Sequence, residues 1–403
     1  MKEVCGKRIA ILVDDYLPHS NKVAAKMMHE LACEFQSLGN SVTLFTPFEQ
    51  KNKINISYLD DVKVVRFRTG RIKNCSFIKR GINESLLSYN ACRLTKNVYK
   101  NEKYDLVVSY SPSIFWGSFA KRIKKINNCP VYLILRDFFP QWIIDSKLIS
   151  EKSLIAKYFK FIERINYASA DVIGIQSPGN IAYFKEKFPD IMKTELLYNW
   201  ASPEVNDENS SFRQRYNLQG KIIFFYGGNL GKAQDMSNLL TLSKKMAVHP
   251  DAHFLFVGNG DEEHLIKDVV DSNLYTNITF CPPVSQEEFK RLLKEVDVGL
   301  FTLNKHHRSH NFPGKILGYM VNGIPILGSV NQGNDLKSVI HEFNAGFVTE
   351  NGDDDLLYHN AELLLRDRAI REQCGENAVK LFNDKFTVAA TATKILSILK
   401  NRN

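Results

Sequence analysis

Two lysines in the second half of the chain stand beside glycine turns, and each is placed to meet an anion. In "FFYGGNLGKAQDMSNLL" (224–240) a strand-like run enters Gly227, Gly228, Asn229, Leu230, Gly231 and Lys232, and a helical pattern follows. Glycines let main-chain N–H groups approach a phosphate closely. The helix start adds positive potential, and Lys232 adds a full charge. A glycine-rich turn with a solvated lysine has the same appearance. In "HHRSHNFPGKILGYM" (306–320) Gly314 is read as permitting a tight turn. Lys315 then falls at a helix N-terminus, where a cation is unfavourable unless an anion joins it. One diphosphate held by both lysines would supply that anion, so the expected partner of Lys315 is not protein. No Asp, Glu or Cys completes His306, His307 and His310 at metal-ligand spacing, and no metal is expected.

Weaker signals surround these two. "FVGNGDEEHL" (256–265) repeats the strand–turn–helix shape, with Gly258 near the turn and Asp261 as the predicted helix cap. In "CPPVSQEEFKRLL" (281–293) Ser285 and Glu288 have capping-box spacing, and the loop at Val284 is positioned to offer main-chain groups to a flat heterocycle. In the first half, "LVDDYLPHSNKVAAK" (12–26) puts Ser20 and Asn21 in a polar loop after a strand. "LILRDFFPQW" (133–142) ends a strand on Arg136 and Asp137, and "SYSPSIFWG" (109–117) ends one on Ser111 and Ser113. Charged and hydroxyl groups at the carboxyl ends of buried strands are in the right place for substrate contact. A mutual ion pair or a helix cap is the structural alternative for Arg136 and Asp137.

Alternating strand and helix patterns position these groups. Strands are predicted at 8–14, 41–47, 62–68, 105–111, 131–137 and 171–177. After the break come 221–227, 253–260, 277–282, 298–303, 324–329 and 345–350. Residues 21–39 read as an amphipathic helix, with Val23, Met27, Leu31 and Phe35 at four-residue spacing and Gly39 as its stop. A last helix is expected at 361–383, then a terminal amphipathic one. The β-α-β order implies an α/β chain of two Rossmann-like, doubly wound domains facing across a cleft. The expected domains are 1–200, a polar linker at 201–215, 216–385, and a terminal helix at 386–403 packing back on the first domain.

Composition bounds the rest. The 403 residues suffice for two cores, at 44% hydrophobic and 24% charged. Seven widely spaced cysteines make neither a disulfide framework nor a zinc site. The start, "MKEVCGKRIAILVDDY", lacks the pattern of a signal peptide, and no apolar run approaches a membrane span, so a cytosolic chain is expected. Residues 1–200 hold 31 Lys and Arg against 19 Asp and Glu; residues 201–403 hold 22 against 25. The basic excess, dense at 66–80 and 121–125, suits either a solvated face or an anionic membrane surface. No nucleic-acid motif accompanies it.

In order, "YGGNLGKAQDMSNLL", "VGNGDEEHL", "PPVSQEEFKRLLKEVDVGL" and "NFPGKILGYMVNGIPILGS" resemble bacterial glycosyltransferases of family 4, which have the GT-B fold. "LRDFFPQW" is similar to a segment of the O-antigen and capsule subgroup, nearest to transferases of N-acetyl-L-fucosamine. The resemblance implies a UDP-sugar donor on the second domain, touched by Gly228, Asn229, Lys232, Gly258, Val284, Asn311, Gly314 and Lys315. Lys232 and Lys315 would neutralise the departing diphosphate without a metal. The first domain would hold an undecaprenyl-diphosphate-linked saccharide through Ser20, Asn21, Ser111, Arg136 and Asp137, on the inner face of the cytoplasmic membrane. Asp137 is the candidate base if the reaction inverts configuration. Gly318 stands where the family commonly has a ribose-binding glutamate, and His310 or Asn311 stands where its partner glutamate would be. A UDP-sugar 2-epimerase of the same fold is the alternative. A nicotinamide oxidoreductase is disfavoured because the first turn has no glycine fingerprint.

Overall fold

The computed structural model describes all residues except 1–3, 21, 73–74, 146–148, 192, 204–210, 307–311 and 401–403. The chain divides into two compact units, residues 1–198 with 388–403, and residues 199–387.

The first unit is built on an eight-stranded sheet. Its strands are β1 (Arg8–Leu12), β2 (Ser41–Phe48), β3 (Ile54–Leu59), β4 (Val62–Arg68), β5 (Leu106–Tyr110), β6 (Val131–Leu135), β7 (Val172–Ile175) and β8 (Thr194–Leu196), in the order β3-β4-β2-β1-β5-β6-β7-β8. All pairs are parallel except the β3–β4 hairpin. The central strands are buried and mostly apolar because helices cover both faces, which is what parallel sheets require. Strand order reverses between β1 and β5, so their carboxyl ends form the crevice in which open α/β sheets hold ligands.

The sequence reading missed β3 and β8. β3 buries none of its six residues fully, and its turn uses Asp60 and Asp61 at positive φ instead of the usual glycine. β8 is three residues long. The helix Val23–Ser37 buries Met27, Met28, Leu31 and Phe35, and the last helix, Val388–Lys400, packs against it.

The second unit has six parallel strands: β9 (Ile222–Asn229), β10 (Ala252–Asn259), β11 (Ile278–Cys281), β12 (Val298–Thr302), β13 (Ile326–Val330) and β14 (Gly346–Glu350), ordered β11-β10-β9-β12-β13-β14. Its reversal lies between β9 and β12. Where one final helix was expected there are two, Asp354–Arg366 and Arg368–Lys385, with the Asp367 side chain capping the second. The described part of the 201–215 segment is anchored to this unit. Phe212 is buried, the Glu295 carboxylate accepts the N–H groups of Phe212 and Arg213, and Arg213 pairs with Asp297 at 2.6 Å.

Candidate functional site

In the second unit, the carboxyl ends of β9 and β10 meet through two glycines. Gly228 and Gly258 are register partners with φ of +114° and +155°. A Cβ on Gly258 would lie 1.8 Å from the Gly228 carbonyl oxygen, so the strands can lie this close only without a side chain there. Gly228 opens the other way, and its own Cβ would be about 4 Å from Cε and Nζ of Lys315.

Lys315 begins the short helix Lys315–Val321 that follows β12, and its side chain reaches back to the β9 turn. Its ammonium nitrogen is inaccessible to solvent and has no hydrogen-bond partner among the described residues. It sits 3.2 Å from the centre of the Tyr226 ring. Burial pulls its pKa well below 10.5. The expectation that Lys315 has no protein partner is therefore corrected: the face of Tyr226 holds it by a cation–π contact, which leaves the ammonium donors unmatched.

Lys232 lies four residues beyond Gly228 in the same loop and is exposed. The loop itself is held firmly: Asp261 accepts the Lys232 N–H, and Asn304 donates to the Lys232 carbonyl. Asp261 is not the predicted cap. Helix Glu263–Asp271 starts two residues later without a side-chain cap, because Asp261 is turned onto the neighbouring loop. Glu262 does the same, accepting the Met236 N–H at the start of the preceding helix, Met236–Lys245.

Ser285 caps its helix as predicted, through the Glu288 N–H, whereas the Glu288 carboxylate pairs with Arg215. Val284 is half-buried in the preceding loop. Gly314 has an ordinary helical φ of −59° and open space around it, so the tight-turn argument for a glycine there does not hold. Gly318 is half-buried against Leu293. Asn311, His307 and His310 lie outside the described residues.

In the first unit, a cavity of about 220 Å³ lies beyond β1, β2 and β4, lined among others by Asp14, Asp15, His19, Phe48, Glu49 and Arg66. The Trp116 indole N–H donates to Asp14 Oδ1 at 2.7 Å. Trp116 comes from the loop after β5, so the bond spans the strand-order reversal. Desolvation raises the Asp14 pKa from 3.8 to about 7, against the lowering effect of hydrogen bonds from Trp116 and Ser113. Asp14 was not singled out in the sequence. The signal was available, because two aspartates directly after a buried strand meet the criterion applied to Asp137.

The other expected acceptor-side residues divide. Arg136 is buried, and its guanidinium donates to the carbonyls of Leu197 and Tyr198. Asp137 retains contact with solvent, yet desolvation still raises its pKa, with Arg136 opposing the rise. Tyr110 at the end of β5 is within electrostatic reach of Arg136, Asp137 and Asp14, which gathers the three into one neighbourhood. Ser111 is buried, and its hydroxyl has no partner among the described residues. The Ser20 hydroxyl accepts the Lys22 N–H, and Asn21 lies outside the described residues. His29, Cys33 and Asp60 form one cluster of metal-ligand types among the described residues, and hydrogen bonds already link it: His29 bonds Tyr16 through Nδ1 and Asp60 through Nε2.

Residues 208–381 match the family model for glycosyl transferases group 1. The matched segment contains both lysines, both paired glycines and Tyr226. The chain is 25% identical over 224 residues to a Pseudomonas aeruginosa protein described as "Probable glycosyltransferase WbjE", covering 53% of this chain and 54% of that one. It spans about half the length of the curated relatives it matches. Among solved structures, Anabaena Alr3699/HepE in complex with UDP-glucose matches with a TM-score of 0.65 at 13% identity, over 98% of this chain and 100% of that one. WaaG, described as a glycosyltransferase involved in lipopolysaccharide biosynthesis, matches with a TM-score of 0.64 at 13% identity, over 97% and 99%. The chain thus has the GT-B fold, and the segment that matches the group 1 model lies within its second unit.

Proposed function

We propose that this protein transfers a sugar from a UDP-sugar to a hydroxyl of a lipid-diphosphate-linked saccharide. The single observation that carries this reading is Lys315. Its buried ammonium group lies beside the Gly228 turn with no hydrogen-bond acceptor among the described residues, inside the segment that matches the group 1 glycosyltransferase model. A diphosphate at that turn would supply the missing acceptors and restore the full charge. Lys315, with Lys232, would then stabilise negative charge as the nucleotide leaves. Gly258, Asn229, Val284 and Asn311 complete the donor side of the proposal.

The acceptor belongs to the first unit. Asp14 is the better candidate than Asp137 for taking the hydroxyl proton, because it lines a cavity and its pKa of about 7 suits reversible proton uptake at neutral pH. The cavity wall carries the carboxyls of Asp14, Asp15 and Glu49 against the guanidinium of Arg66, which favours a neutral sugar over a phosphate. The sugar moved is proposed as an acetamido-deoxyhexose such as N-acetyl-L-fucosamine, in O-antigen or capsule assembly at the cytoplasmic membrane surface. This choice rests on the resemblance carried by "LRDFFPQW" (135–142).

Thermal-shift measurement with UDP-, GDP- and dTDP-sugars, repeated with Lys315→Ala, tests the donor side. Stabilisation by the UDP-sugars that disappears in the variant is the expected result. A shift unaffected by the substitution would remove Lys315 from the site and the proposal with it.

A further inference from the structure

The helices Gly117–Asn127 and Leu154–Ser169 lie side by side on the first unit, close enough that a Cβ on Gly117 would fall 2.5 Å from the Asn166 Cα. Helix Leu154–Ser169 buries one face, with Ala156, Glu163, Asn166 and Tyr167 inward. Its opposite face is apolar as well. Leu154 is 82% exposed, Ile155 56%, Tyr158 41% and Phe161 61%. Residues 154, 158 and 161 follow helical spacing, so they form one stripe and not scattered exceptions. A large exposed apolar patch of this kind marks a site of interaction with a protein or a membrane.

The charges around the stripe decide between them. The two helices together carry Lys121, Arg122, Lys124, Lys125, Lys157, Lys160 and Arg164, and their one carboxyl, Glu163, is buried and bonded to Tyr167. Lys124 and Lys160 have ion-pair partners in Asp171 and Glu151. Lys121, Arg122, Lys125, Lys157 and Arg164 have none among the described residues, and all five are exposed. An apolar stripe rimmed by five unpaired cations, with two further lysines held in ion pairs, is the pattern of a helix lying in an anionic lipid interface.

We infer that the outer faces of these two helices dock the protein on an anionic bilayer, with Leu154, Tyr158 and Phe161 entering the headgroup–acyl boundary. The free cations would sit over lipid phosphates. This deepens the membrane part of the proposed function and is independent of the donor chemistry at Lys315. It also locates the basic excess of the first half, since five of its cations lie on this face unpaired.

Co-sedimentation with vesicles tests the inference. The full chain is expected to bind phosphatidylglycerol–phosphatidylcholine vesicles (about 30% anionic) at 50 mM salt, weaken at 500 mM, and ignore pure phosphatidylcholine. Leu154→Ser with Phe161→Ser, and separately Lys157→Ala with Arg164→Ala, should each cut the affinity at least tenfold. Both pairs are exposed, so melting temperature and the UDP shift should stay unchanged. Absence of binding at low salt overturns the inference, as does full binding by the serine variant. A wild-type dimer that the serine variant splits, without vesicle binding, would show a protein interface instead. Vesicle binding without any UDP-sugar shift would leave the docking surface standing and remove the transferase reading alone.

Discussion

The ammonium nitrogen of Lys315 sits 3.2 Å from the centre of the Tyr226 ring and accounts for how a cation is kept inside the domain without an ion pair. The ring's negative face offsets part of the desolvation, but it gives the N–H donors no hydrogen-bond acceptor. A hydrogen bond to a charged group is worth about 1.5–3 kcal/mol. Lys315→Ala should accordingly weaken UDP binding by roughly 10- to 150-fold. Lys315→Met, which removes the buried charge and keeps the chain length, should leave urea stability equal or higher. Calorimetric titration with UDP, with unfolding curves of both variants, checks both outcomes.

Proton uptake should accompany that binding. Burial holds the lysine pKa well below 10.5 in the free protein, and an arriving diphosphate favours the charged form. UDP affinity should then rise as pH falls from the alkaline side towards the lysine's depressed pKa. Titrations in two buffers of different ionisation enthalpy measure the protons taken up. Identical apparent enthalpies on that limb would mean that the lysine was already charged.

Three glycines should respond differently to the same change. Gly258→Ala meets the Gly228 carbonyl and adopts an unfavourable φ, so a loss of about 2–4 kcal/mol is expected. Gly228→Ala is strained by its φ and crowds Lys315 only lightly, so about 1–2 kcal/mol should go, together with UDP affinity. Gly314→Ala should be tolerated with little change. Denaturant midpoints of the three variants give the ranking directly.

That ranking also shows how far the sequence could be read. Strand runs such as Val131–Leu135 were legible because buried parallel strands are continuously apolar. The β3–β4 turn was not, since aspartates do the work of glycine there. Gly228 and Lys315 were flagged by residue type, and Gly314 was flagged by the same reasoning although nothing in its geometry needs a glycine. Tyr226 read as one more core aromatic, because nothing local reports a partner 89 positions away. The bond between Asp14 and Trp116 crosses 102 positions and depends on strand order, which a linear pattern does not contain.

Asp14 should make stability pH-dependent. Its folded pKa of about 7 lies above the unfolded 3.8, so the folded state holds the proton more tightly. Its contribution is fully present below about pH 4 and is lost as pH rises to 7, amounting to about 2–4 kcal/mol. Asp14→Asn keeps an acceptor for Trp116 and removes the titration. Between pH 5 and 8 the variant should therefore gain on the wild type. Urea unfolding at the two pH values measures the difference, and parallel curves would place the Asp14 pKa near its ordinary value.

His253 should act with the opposite sign. It is buried on β10, bonded to Thr279, and desolvation lowers its pKa from 6.5 to about 4. Stability from the neutral ring is complete above pH 6.5 and is lost as pH falls towards 4. His253→Gln should flatten that acid limb by about 2–3 kcal/mol, read from unfolding midpoints at pH 7 and pH 4.5.

The return of helix Val388–Lys400 to helix Val23–Ser37 has a consequence during synthesis. The apolar groove that receives it emerges from the ribosome early and stays uncovered while some 360 further residues are made, the whole second unit among them. The second unit is complete before the first can close. A ribosome that stalls within helix Val388–Lys400 would leave a finished second unit and an open seam on the first.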